Sequence, residues 1–288
     1  MGLAAPRLRR RLSIPKPAVS VLAWQAPVAL ALALPSSRPR DAGIYTLQML
    51  AYVAHYEMPA DDAESIRRRL RVRYPITIDR LIGGGQVPTL RLQRILGRPG
   101  AIRPHDLALS WVHWVWYFVP HGSVAYVLVR HRERYGRAAC LTAAVFDLGL
   151  LFYWALPTAP PWWAGQEGHL PPVRRIMTET GESFWGGLWR PLYDSLAGNP
   201  FAAMPSLHFA TSVMAAHVLA DVGRGPGRLG WAYAATLGFG LVYLGEHYVI
   251  DLLVGLALAE GVRLGAPAAA PAVCAIGRAV QRLEPRAA

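Results

Sequence analysis

Apolar residues in this chain run together rather than alternate. Six stretches, residues 18–34, 107–129, 138–156, 206–222, 229–244 and 248–262, are almost free of charge. Each approaches the ~20 apolar residues that a helix needs to cross a bilayer. A soluble domain would instead disperse its apolar positions at helical or strand periods. The pattern predicts an all-α fold: a polytopic membrane helix bundle with about six transmembrane helices and an interfacial helical region.

The stretches between the spans carry their own expectations. Residues 42–55 are shorter and more polar, with Gln48 and several tyrosines, and read as an interfacial helix. Residues 61–103 are the least membrane-like part, with arginines at 67, 68, 69, 71, 73, 80, 91, 94, 98 and 103. Gly83-Gly84-Gly85 lies there without the strand, helix and lysine of a phosphate-cradling loop, so it is expected to be a plain turn. Leu90, Leu92, Ile95 and Leu96 predict a short amphipathic helix. Residues 157–201, rich in Pro and Trp, are too polar to cross, and the Ala- and Pro-rich residues after 264 read as a peripheral tail. The resulting division is an anchor with an interfacial arginine-rich region (1–104), a transmembrane core (105–264) and the tail (265–288).

Arg7 to Arg11 precede the first apolar stretch, whose end holds Ala29, Ala31 and Ala33. A retained anchor and a cleaved signal peptide both fit, and the retained anchor is preferred. The short basic loops 130–137 (RHRERYGR) and 223–228 (GRGPGR) belong in the cytoplasm by the positive-inside rule. Alternation then carries segment 157–201 to the extracytoplasmic face, in what reads as a bacterial plasma membrane. The arginine-rich 61–103 stretch lands on that same face, against the charge rule.

Composition narrows the partners. The 288 residues are 53% hydrophobic and 17% charged, with a formal net charge of +12, and Lys16 is the only lysine. Positive charge carried by arginine suits anionic headgroups and bidentate phosphate recognition. No basic and aromatic surface pattern stands apart from the apolar runs, which argues against nucleic acid. Cys140 and Cys274 form neither a disulfide framework nor a metal site. Nothing in the pattern points to an oligomeric state.

The chemistry concentrates in Pro205-Ser206-Leu207-His208 and Gly245-Glu246-His247-Tyr248-Val249-Ile250-Asp251. Residues 206–222 form about 25 Å of helix, close to one crossing, and residues 229–244 bring the chain back. His208 and His247, 39 positions apart, are thereby expected at one membrane surface. Asp251, four residues past His247, shares its helix face and can hold the proton-bearing ring nitrogen, leaving the other as a nucleophile. His208 can act as a general acid, and Ser206 with the free N–H groups of its helix end offers an anion site. A phosphorus centre attacked by histidine would give a phosphohistidine intermediate.

These residues resemble the second and third signatures of the type 2 phosphatidic acid phosphatase superfamily. Leu207, where most members carry glycine, is closer to the inositol phosphorylceramide synthase branch. So are Pro157-Thr158-Ala159-Pro160-Pro161-Trp162 and Asn199-Pro200-Phe201-Ala202-Ala203-Met204. The resemblance covers residues 157–255. It implies His247 as nucleophile, Asp251 as its orienter, His208 as acid, a lipid phosphate or diphosphate as substrate, and neither metal nor cofactor. The first family signature is absent: Arg190-Pro191 gives half of it, with Ser183 in the lysine position. Gly240 and Leu241 replace the Ser-Arg pair before the third signature. Arg174, Arg175, Arg190 and the arginines of 61–103 are the candidate phosphate ligands.

Other features have plainer readings. His105, His113, His121, His131 and His217 are expected to be structural, Asp147 to pair within the bundle, and Trp111, Trp114 and Trp116 to form an aromatic belt. The expected activity is a membrane lipid-phosphate phosphatase or phosphotransferase. A non-catalytic lipid headgroup transporter or binding protein and a membrane metallohydrolase are the rival readings.

Overall fold

The computed structural model describes residues 14–196 and 198–283. Among these the chain is helical, with isolated bridges in place of strands. In chain order the helices are α1 (Lys16–Ala33), α2 (Arg38–Glu57), α3 (Ala63–Arg69), α4 (Arg73–Ile82), α5 (Pro88–Leu96), α6 (Pro104–Trp114) and α7 (Val119–Arg130). They continue as α8 (Arg132–Ala155), α9 (Pro161–Gln166), α10 (Ile176–Trp185), α11 (Trp189–Leu196), α12 (Leu207–Val222), α13 (Arg224–Tyr243) and α14 (Val249–Leu283).

Two described helices, α1 and α8, are long and apolar enough to cross a membrane, and α12 is apolar but shorter. The expected span at 107–129 is not one helix. It breaks at Val115–Tyr117, just ahead of Pro120, whose ring and missing N–H oppose a continuous ladder. The basic loop expected at 223–228 shrinks to Gly223, because α13 begins at Arg224. Helix α14 runs through residue 264 to Leu283, so the Ala- and Pro-rich stretch continues it. Interior Pro267 and Pro271 do not end it. The helices expected at 42–55 and 90–96 lie within α2 and α5.

Helix α12 is the centre of the packing. It contacts α7, α8, α13 and α14, and Val213, Met214, Ala215 and Ala216 are shut away from solvent. Val213 and Met214 join Val145 and Phe146 of α8 in one core cluster. Asp147 finds its expected partner in Gln48 of α2, whose Nε2 donates to Oδ2 at 2.8 Å. At the end of the bundle where α12 begins, three extended segments meet. Arg71 N–H donates to Pro157 O, Ala159 N–H to Arg71 O, and Thr158 N–H to Phe201 O. The arginine-rich α3–α5 region is thus fastened to the segment that leads into α12.

Candidate active site

The two signature segments are joined through their backbones. Ser206 caps α12, its Oγ accepting from Phe209 N–H at 3.3 Å, and its own N–H donates to the Asp251 carbonyl at 3.0 Å. On the other side the chain leaves α13 through Gly245, at φ +86°. A Cβ there would lie 2.6 Å from the Arg174 carbonyl oxygen, so only glycine fits both the turn and the close approach. Glu246 and His247 then donate their N–H groups to the Leu241 carbonyl, folding the His247 segment back over the α13 end.

Side chains complete a linear relay. His208 Nδ1 lies 3.2 Å from His247 Nε2, and His247 Nδ1 lies 3.3 Å from Asp251 Oδ2. A carboxylate only accepts, so His247 carries its proton on Nδ1 and turns the Nε2 lone pair toward His208. Tyr248 N–H fixes the same Asp251 oxygen at 2.9 Å. His247 and Asp251 are buried, while His208 is half-buried. The helix-length expectation that the histidines converge is met in the geometry.

Two residues expected to be structural or interfacial face His208. The Trp116 ring sits 4.2 Å from it, and its Nε1–H donates to Thr211, one turn along α12. The His113 ring is 4.9 Å away, and its buried Nδ1 has no hydrogen-bond partner among the described residues. By contrast, His105, His121 and His217 each have polar partners elsewhere in the fold.

The candidate arginines separate sharply. Arg190 is 83% exposed and lies 3.7 Å from Glu182. Arg174 is tied to Glu179 and to the carbonyls of Arg98 and Ala101, away from the relay. Arg175 alone of the three approaches the relay, pairing with Glu246, the residue before His247, at 2.9 and 3.1 Å. It also donates to the Tyr193 hydroxyl and stacks 4.1 Å over the Trp162 ring. Burial pushes the Glu246 carboxyl up, but Arg175 overrides this and holds it below the ordinary carboxylate range. Ser206, the other expected ligand, is fully buried and occupied as a cap.

Leu207 also acquires a physical explanation. It packs onto Gly149 of α8, where a Cβ would come within 2.6 Å of its side chain. The bulk that this chain carries next to His208 is accommodated by a missing side chain on the facing helix.

The sequence reading passed over several residues that build the site. Gln93 of α5 donates to the carbonyls of Tyr243 and Arg174 and accepts from Arg174 N–H, clamping the segment that carries Arg175 to the end of α13. Asp79 of α4 contacts the first turn of α14. Neither has a local sequence signal, since each partner lies far along the chain. Glu246 lay within a quoted motif, and only its contact with Arg175 reveals a role. Among the described residues no cluster of three or more metal-ligating side chains occurs.

A helical bundle that brings the histidines of two helix starts together, backed by a buried carboxylate, is matched by the family model of the PAP2 superfamily over residues 76–263. The chain belongs to that superfamily. Among curated proteins it is similar to the phosphoinositol dihydroceramide synthase of Bacteroides thetaiotaomicron, 31% identical over 141 residues, covering 45% of each chain. The match thus spans under half of that relative. No solved structure matches the chain.

Proposed function

We propose that the protein transfers a phosphorus group from a lipid-linked phosphate or diphosphate through a covalent intermediate on His247. The relay from His208 through His247 to Asp251 carries this reading. Substrate enters between the two rings. The His247 Nε2 lone pair attacks phosphorus while the bond to the leaving oxygen breaks, and His208 gives that oxygen a proton. Asp251 stabilises the ring as positive charge develops. In the second half, an acceptor hydroxyl attacks phosphorus, His208 takes its proton, and the P–N bond breaks. Water as acceptor gives hydrolysis, and an alcohol gives transfer. The relative's name, a synthase, favours an alcohol.

Arg175 is the cation best placed to meet the phosphate, with its charge held beside His247 by Glu246. An apolar groove of about 310 Å³ lies between α5, α12, α13 and α14, lined by Pro88, Leu92, Phe209, Gly238, Val249 and Leu252 among others. Its wholly apolar lining suits an acyl or polyprenyl chain. About six spans, with the site at the extracytoplasmic face of a bacterial plasma membrane, fit the six apolar runs and the basic residues at 130–137.

Purified protein in detergent, given phosphatidic acid, a polyprenyl diphosphate and a phosphoinositide with and without vanadate, tests the reading. Vanadate-sensitive phosphate release or headgroup exchange, unaffected by chelators, is expected. Absence of turnover on all three, or full turnover by His247→Ala, would overturn it.

A further inference from the structure

The first turn of a helix leaves backbone N–H groups without partners, and a side chain just before the helix normally satisfies them. In α14 that local solution is missing. Tyr248 precedes the helix and has no side-chain acceptor suited to capping, and the nearby Asp251 is already engaged with Tyr248 N–H and His247. The partner comes instead from 170 residues away. Both carboxylate oxygens of Asp79 are used: Oδ2 accepts from Val249 N–H and Oδ1 from Ile250 N–H, each at 3.0 Å. Asp79 is fully shut off from solvent at the end of the amphipathic helix α4.

We propose that Asp79 is a positioning residue for catalysis, setting the register of the α14 start so that Asp251 holds His247 in line with His208. The proposal rests on the phosphohistidine reading above and extends it to a residue outside both histidine segments. Two amides held by one rigid carboxylate fix both the position and the rotation of the turn. Asp251 lies on that turn, and its Oδ2 must meet Tyr248 N–H and His247 Nδ1 together. Without Asp79 the first two donors of α14 are buried and unpaired, and the turn frays where the relay needs it fixed.

The ionised carboxylate is held there against burial. Burial pushes the Asp79 carboxyl up to about 6, against the two amides that pull it down, and Asp251 adds to the rise. A folded-state pKa above the unfolded one means that the stabilisation present at low pH is lost as pH rises through about 6. At neutral pH the fold therefore keeps Asp79 ionised against the cost of burying it, with the two amides offsetting part of that cost. The same contact locates the arginine-rich region: α4 lies against the active-site end of α14.

Asp79→Asn, which keeps one good acceptor, and Asp79→Leu, which keeps volume but no acceptor, test the proposal in the full-length protein in detergent. A misplacement of about 1 Å caused by a change away from the chemistry can cost about 100-fold in rate. The expected result is a kcat reduced about 100-fold in Asp79→Leu and about 3- to 10-fold in Asp79→Asn, with KM within about twofold of the parent. Amide hydrogen exchange across residues 246–252 should quicken in the same order. Should Asp79→Leu fail to fold, a folded Asp79→Asn decides: unchanged kcat and unchanged exchange overturn the proposal. A loss in either variant matched by its loss of folded protein, or seen only in KM, also overturns it. If the parent turns over none of the lipids, the catalytic reading falls, while the exchange comparison still shows whether Asp79 holds the turn.

Discussion

The backbone N–H of Ser206 donates to the carbonyl of Asp251 at 3.0 Å, so the starts of α12 and α14 are bonded main chain to main chain. No side chain is needed for that bond, which frees the Ser206 hydroxyl to cap α12. Ser206→Ala should therefore cost about 1 kcal/mol of stability. The register of the relay should survive, and the folded variant should keep kcat within about tenfold, a drop of no more than ~1.4 kcal/mol in transition-state stabilisation. Thermal unfolding and steady-state kinetics check this. A folded Ser206→Ala with no turnover would make the hydroxyl a phosphate ligand.

Arg175 and Glu246 are expected to separate folding from function. Removing Arg175 alone leaves Glu246 buried and uncompensated, which typically costs about 3–5 kcal/mol. The double change Arg175→Gln with Glu246→Gln should restore much of that stability but not turnover, because the cation is still missing. Recovery of both stability and activity would make the pair purely structural.

The same pair predicts a pH dependence. Glu246 is held below the ordinary carboxylate range in the folded protein. Its contribution is therefore present above the unfolded carboxylate pKa, about 4.3, and is lost as pH falls through the lower folded value. Unfolding temperature should drop on the acid side of that window. In Glu246→Gln this component of the drop should be gone, and an unchanged acid limb would contradict the assignment.

Leu207 and Gly149 should be energetically coupled. Gly149→Ala places a Cβ 2.6 Å from the Leu207 side chain. Overpacking of this kind costs about 1–3 kcal/mol, while Leu207→Ala opens a cavity worth about 2–5 kcal/mol. The double variant should be more stable than the sum of the two losses predicts. Simple additivity, measured by thermal unfolding in a double-mutant cycle, would show that the two do not share one space.

Local pattern carried much of the fold. Charge-free runs announced most of the long helices, and the four-residue step from His247 to Asp251 put both on one face. What the pattern missed was set by contacts distant in sequence. The run at 107–129 reads as continuous, yet Pro120 and the turn before it bend the chain so that Trp116 lies over His208. His113 looked like one histidine among several until its ring met that of His208. Three arginines were equivalent on charge alone. Only the fold shows that Arg174 serves carbonyls and Glu179, that Arg190 faces outward, and that Arg175 pairs with Glu246 beside His247.

The central claim is the covalent step on His247, and trapping the intermediate tests it most directly. Protein mixed with lipid carrying labelled phosphorus and quenched within the first turnover should retain label in an acid-labile, alkali-stable linkage. That label should map to His247 and be absent from His247→Gln. It should form slowly in Asp251→Asn, which disturbs the held tautomer. Rapid turnover with no trapped label, or label that persists in His247→Gln, would contradict the account.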